Sequence, residues 1–222
     1  MSLKINYNDV LDLPITSDIG IITADLNIFT DTDYCATVEV ECDLNQIEEN
    51  RKDDEPLTHC IWGRPGKHMG LFADFNGMHY TFGWWEGDKY EFINTKPGTL
   101  GTNLAKVSVV RNSGSKTFSI FLDDELHMET IYGELSSYKD LPICLGIANE
   151  QEEAYPHNNK FAGTYHRFII NNTYKLSDEL NESTLVCLDF EPQNTTYYSI
   201  FDISKNGNRA RINHSTYKQQ WG

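Results

Sequence analysis

The sequence predicts an all-β protein folded as a two-sheet antiparallel β-sandwich, on three observations. Apolar and polar side chains alternate with a period of two in segment after segment. Turn-prone Gly, Asn and Asp separate these segments at short intervals. Long amphipathic helical stretches are absent, which excludes α/β architectures. The chain of 222 residues, 39% hydrophobic and 12% aromatic, suffices for one core. Residues 1–22 are read as an N-terminal arm or edge strand and residues 23–222 as the sandwich.

In chain order, residues 36–44 give the clearest strand. Ala36, Val38, Val40, Cys42 and Leu44 alternate with Thr37, Glu39, Glu41 and Asp43, so one face is buried and the other wet. Residues 57–63, 69–75 and 78–85 follow. Asn76-Gly77 suits a two-residue type I′ hairpin turn, since both residues tolerate positive φ, and Gly87-Asp88 marks the next turn. Residues 104–112, 116–123 and 125–132 form a three-strand meander. Residues 142–149, 163–171, 185–191 and 210–217 supply the remaining strands. Two short helical candidates stand out. One is residues 176–180, with Ser177 as N-cap and acids beside the positive dipole end. The other is residues 7–13. The acid-rich run at residues 48–55 reads as a solvated loop.

The charge excludes several partners. With 33 acidic against 18 basic residues the formal net charge is −15. Nucleic acid requires clustered Lys and Arg, and an anionic membrane surface requires the same. A cation, a glycan or a basic protein partner remains compatible. Cys35, Cys42, Cys60, Cys144 and Cys187 are odd in number and contain no CxxC pair. Most lie in apolar runs as small hydrophobes, so neither structural zinc nor a disulfide framework is indicated. The N-terminus shows no signal-peptide pattern, and no run approaches the roughly 18 apolar residues of a membrane span. The reading is a cytoplasmically made protein, and the four Asn-x-Ser/Thr sequons, at Asn171, Asn181, Asn194 and Asn213, carry no meaning there.

Two stretches carry a family resemblance. Residues 104–132 resemble the meander of laminin G-like domains within the concanavalin A-like lectin/glucanase superfamily, with Asp124 where Gly is usual in the hairpin. Residues 145–180 resemble that family's closing signature through Phe161, Gly163, Phe168, Ile170, Asn171, Leu176, Ser177 and Glu179. The tail is similar to a bordering turn through Asp202, Ser204, Asn206, Gly207 and Asn208. The resemblance implies a jelly-roll sandwich with one concave face, and a carbohydrate or calcium site on that face or its loops. It does not fix function, because this fold hosts lectins, hydrolases and adhesion modules.

Three sets of residues are candidates for chemistry. Glu39, Glu41 and Asp43 recur at every second position on one strand face. Laminarinase-type glycosidases on this fold carry a comparable Glu-x-Asp-x-Glu strand, and retaining hydrolysis needs carboxyls about 5–5.5 Å apart. Here the middle residue is Glu and the last is Asp, so an ordinary solvated strand face is the preferred reading. Trp62, Trp84, Trp85, Tyr90 and His68 are the candidate ligand-binding set, within an aromatic cluster that includes Tyr80 and Phe92. Sugar rings stack on such faces. Adjacent Trp84 and Trp85 must point to opposite faces of a strand, and the alternative role is core filling. Asp123, Asp124 and Asp202, with Asp74, are candidate calcium ligands; no other cofactor is indicated.

The expectation is a non-enzymatic binding or structural module. Export without a signal suggests a phage virion component, a capsid-decorating or tail adhesion protein, that contacts other subunits or host-surface glycans. The alternative is a soluble lectin or a laminarinase-like glycoside hydrolase.

Overall fold

A computed structural model of the chain describes residues 3–5, 22–23, 32–50, 58–64, 69–136, 143–146, 161–190, 195–196, 199–205 and 209–211. The strands in chain order are β1 (Leu3–Ile5), β2 (Ile22–Thr23), β3 (Tyr34–Cys42), β4 (Thr58–Arg64), β5 (Met69–Asp74), β6 (His79–Glu86), β7 (Lys89–Asn94) and β8 (Ala105–Asn112). They continue with β9 (Thr117–Leu122), β10 (Glu125–Ile131), β11 (Cys144–Leu145), β12 (Gly163–Asn171), β13 (Thr184–Asp189), β14 (Thr195–Thr196), β15 (Ser199–Phe201) and β16 (Arg209–Arg211). Among the described residues one helix, α1 (Leu44–Asn50), follows β3.

Two antiparallel sheets form the sandwich. The larger runs β1-β12-β3-β8-β9-β10, with β13 also paired to β12; the smaller runs β11-β4-β5-β6-β7. A minor sheet, β14-β15-β16-β2, lies at the chain's ends. The alternation read in β3 decides its orientation: Tyr34, Ala36, Val38, Val40 and Cys42 are buried in the common core. Opposite them, Leu71 and Ala73 of β5 and Tyr80, Phe82 and Trp84 of β6 enter the same core. Aromatic rings span the gap between sheets, with Trp62 against Phe168 at 5.9 Å and Phe82 against Phe118 at 5.1 Å between centroids. The Tyr165 hydroxyl donates to Ile61 O at 2.5 Å, so this buried phenol is satisfied across the layers. Burial pushes the Cys42 thiol up to about 12.

Bulges re-aim side chains at defined places. One between Cys60 and Trp62 lets both Ile61 and Trp62 enter the core while Cys60 faces outward. Another between Tyr165 and Arg167 frees His166 from the strand alternation.

Three sequence expectations are corrected. Residues 176–180 are not helical; the carbonyls of Ser177 and Glu179 instead accept from the Asn171 amide at 2.9 and 3.3 Å. Helix α1 was not anticipated, and it takes in the start of the supposed acidic loop. Its signal is Asp43, whose carboxylate accepts from Gln46 N at 3.1 Å as an N-cap. Asn76-Gly77 does not form a two-residue turn, because Asp74 pairs with His79 and four residues intervene. Asp74 Oδ1 accepts from Asn76 N at 2.8 Å, and Met78 rather than Gly77 takes the left-handed conformation. The β9–β10 hairpin does close with two residues despite lacking Gly. Asp123 and Asp124 both have positive φ, 48° and 69°, as a type I′ turn requires. The helical candidate at residues 7–13 lies outside the described residues.

Candidate functional site

The outward face of the five-stranded sheet is built by residues two apart on each strand. In register across β5, β6 and β7, Phe72, Thr81 and Asn94 form one row; Gly70, Gly83 and Phe92 form the next; Trp85 and Tyr90 form the third. Gly63 of β4 extends the glycine row, since it pairs with Gly70. These positions alternate with Tyr80, Phe82, Trp84 and Ile93, which face the core. A single rule of strand geometry thus sorts the aromatic cluster into two populations.

The glycines have a steric reason. A Cβ on Gly70 would come within 2.6 Å of Gly63 Cα. A Cβ on Gly83 would overlap the Tyr90 hydroxyl and come within 3.1 Å of Tyr90 Cε1. The Tyr90 ring therefore lies across the Gly83 backbone. Its other neighbour is Trp85, with ring centroids 5.5 Å apart. Exposure rises toward the β7 edge. Gly63, Gly70, Phe72 and Thr81 are buried, Trp85, Tyr90 and Asn94 are half-buried, and Phe92 is 57% exposed. Within this face, Thr81 Oγ1, Asn94 Oδ1 and, one row away, His79 Nδ1 are buried atoms with no hydrogen-bond partner. Buried polar groups are ordinarily paired, so two adjacent exceptions in one row mark a position that lacks a complement.

The sequence candidates distribute as follows. Trp62 and Trp84 are enclosed in the core, at 0% and 1% exposure, with no face open to a sugar. Trp84 Nε1 donates to Glu86 Oε1 at 2.9 Å. Trp85 and Tyr90 come together on the outer face, and His68 lies outside the described residues. Phe92, Thr81, Asn94 and Gly83 complete the face without having been singled out as site residues. Their signal was parity: every second residue from Trp85 backwards leads to Gly83 and Thr81.

Two of the carboxylates have structural partners. Glu41 Oε1 lies 2.9 Å from His166 Nε2. Glu39 stands in register between Lys106 and Arg167. Asp43 caps α1. The proposed calcium ligands are likewise engaged. Asp123 Oδ1 accepts from Lys106 N at 3.0 Å and Asp124 Oδ2 from Lys106 Nζ at 2.7 Å. Asp202 Oδ1 accepts from Cys187 N and Ser204 N, both at 2.8 Å, fastening the C-terminal segment to β13. Asp74 receives Asn76 N and lies 3.6 Å from His79 Nε2. Among the described residues no three His, Cys, Asp or Glu side chains gather to hold a metal ion. Among them, too, no helix is long and apolar enough to cross a membrane.

The fold is similar to that of solved carbohydrate-binding proteins. A Bacteroides ovatus crystal structure, described as a candidate carbohydrate-binding protein, aligns with a TM-score of 0.64 and 12% identity over 87% of this chain. The alignment covers 55% of that protein, so this chain spans little more than half its length. The CBM40 module of the Ruminococcus gnavus IT-sialidase aligns with a TM-score of 0.51 and 13% identity, over 74% of this chain and 95% of the module. The same module bound to α2,6-sialyllactose gives a TM-score of 0.51 at 13% identity, over 72% of this chain and 91% of the module. At such identities the likeness is one of fold. No family model matches the sequence, and no curated protein matches it.

Proposed function

We propose that this protein is a carbohydrate-binding module without catalytic activity, and that the β6–β7 side of the five-stranded sheet receives the sugar. The observation that carries this reading is the joint placement of Trp85, Tyr90 and Phe92 beside the unpartnered Thr81 Oγ1 and Asn94 Oδ1. An aromatic face accepts the C–H face of a pyranose, while adjacent polar atoms take its hydroxyls. The fold shared with carbohydrate-binding sandwiches is congruent with this assignment. Membership of the laminin G-like group rests on the motif residues in 104–132 and 145–180.

Binding is favoured over cleavage because Glu41 and Asp43 are committed to His166 and to α1. Hydrolysis of any bound glycan that disappears in a Glu39→Gln, Glu41→Gln double variant would reverse this preference.

The test is a glycan array probed with the parent protein and with Tyr90→Ala and Phe92→Ala. Binding that falls about tenfold or more in both variants supports the reading, a loss of roughly 1.4 kcal/mol. A parent that binds no glycan, or variants that bind like the parent, overturns it. Attachment to a virion, with protein subunits as further partners, rests on the sequence reading alone. Detection of the chain in purified particles tests that placement.

A further inference from the structure

The polar groups of the outer face differ in kind from those that recognise an anion. Carboxylates and sulfates are held by guanidinium forks, ammonium groups or several converging N–H donors. Among the described residues, no Lys or Arg side chain stands in the rows that contain Thr81, Gly83 and Trp85. Among the described residues, the lysines of β7 and just beyond it are paired elsewhere. Lys89 pairs with Glu91, whose register partner is the core-facing Trp84. Lys96 Nζ donates to Glu125 Oε1 at 3.0 Å. The titratable groups that do share this face are Asp74, one row beyond Phe72 and Thr81, and its register partner His79, whose Nε2 lies 3.6 Å from the Asp74 carboxylate. Across the whole chain the formal charge is −15, which repels an anionic ligand at long range.

The unpartnered atoms have complementary properties. Thr81 is 8% exposed, and its buried hydroxyl both donates and accepts; Asn94 Oδ1 accepts. Both match sugar hydroxyls, which donate and accept in turn. Phe92, at 57% exposure, and the half-buried Tyr90 present aromatic surface to apolar C–H groups.

Building on the carbohydrate-binding assignment above, we infer that the ligand of this face is a neutral glycan, bound by aromatic stacking and hydroxyl hydrogen bonds, and that sialylated or sulfated glycans are discriminated against. The fold shared with a sialyllactose-bound module therefore carries a different specificity here.

The experiment prints neutral glycans beside their own sialylated and sulfated counterparts, lactose beside 3′-sialyllactose among them. The parent protein is then titrated against the best neutral glycan at low and high salt. Neutral members should bind at least tenfold more tightly than their anionic counterparts, with affinity little changed by salt. Thr81→Val, close in shape to threonine, should weaken the neutral glycan several-fold while the urea midpoint is unchanged or raised. Preferential binding of the anionic members, or affinity that collapses with salt, overturns the neutral specificity while leaving carbohydrate binding standing. Absence of binding to every glycan instead removes the carbohydrate assignment itself, and this inference with it.

Discussion

The two outward faces of the sandwich are built from the same kind of strand, yet one is chemically closed and the other is not. On the seven-stranded sheet each polar group singled out has a partner from this chain. Thr37 Oγ1 and Ser108 Oγ lie 2.8 Å apart, and Glu41 meets His166. Lys106 Nζ bridges Asp124 and Asp178 at 2.7 and 2.9 Å. Asn171 gathers the segment that follows it: its amide donates to Ser177 O, and its carbonyl accepts from Thr184 Oγ1 at 2.7 Å. Residues 172–183 thus serve as a cover fixed to the sheet. The five-stranded sheet carries the glycine row, the Trp85–Tyr90–Phe92 edge, and the unpartnered Thr81 Oγ1, Asn94 Oδ1 and His79 Nδ1. A face that satisfies itself contributes to stability. A face that retains unpaired hydrogen-bonding capacity beside aromatic surface is suited to a ligand.

This contrast can be broken most forcefully in the layer between the faces. Trp62→Ala should cost about 3–5 kcal/mol, as removal of a buried aromatic does, and the loss should appear as a lower urea midpoint. Phe92→Ala, on the open edge, should stay within about 0.5 kcal/mol of the parent in the same assay. Asn171→Ala should cost about 1–3 kcal/mol, because it strips partners from Ser177 and Thr184 on the closed face. Glycan affinity should be untouched by that change; equal damage to stability and affinity would show that the faces are not independent.

Gly83→Ala should act in the opposite sense. The new methyl must displace the Tyr90 ring, so glycan affinity should fall about tenfold, near 1.4 kcal/mol. Titration calorimetry beside thermal melting checks whether the loss is confined to binding. The smallest effect is in the acid range. A hydrogen bond from Lys106 holds the Asp178 carboxyl below its ordinary value of 3.8, with burial opposing. Because the folded value is depressed, this contribution to stability is present above pH 3.8 and is lost as the pH falls through the folded value. Asp178→Asn should therefore shrink the gap between urea midpoints measured above and well below that pH. Lys106 itself is titrated upward: burial works against its charge, but its bonds to Asp124 and Asp178 outweigh it.

Local pattern made much of this architecture legible. The alternation in residues 36–44 gave β3 and its buried face, and the meander in residues 104–132 gave β8, β9 and β10 in order. Parity alone separated Trp84 from Trp85. Elsewhere nearby contacts overrode the local signal. The dipeptide Asn76-Gly77 satisfies hairpin chemistry, but the Asp74 carboxylate captures its amides and imposes a longer turn. Ser177 and the acids after it satisfy helix-start chemistry, but the Asn171 side chain claims their carbonyls.

What the sequence determined by itself was the sandwich class and the buried face of β3, with Ala36, Val38, Val40 and Cys42 in the core. Those properties depend on strand periodicity, which needs no knowledge of which strands meet. Tertiary structure decided which aromatic residues share a face, that Glu41 and Asp43 take structural partners, and that Thr81 and Asn94 stand side by side. Each of these is a matter of register between strands distant in sequence, and register is fixed only when the two sheets close on their common core.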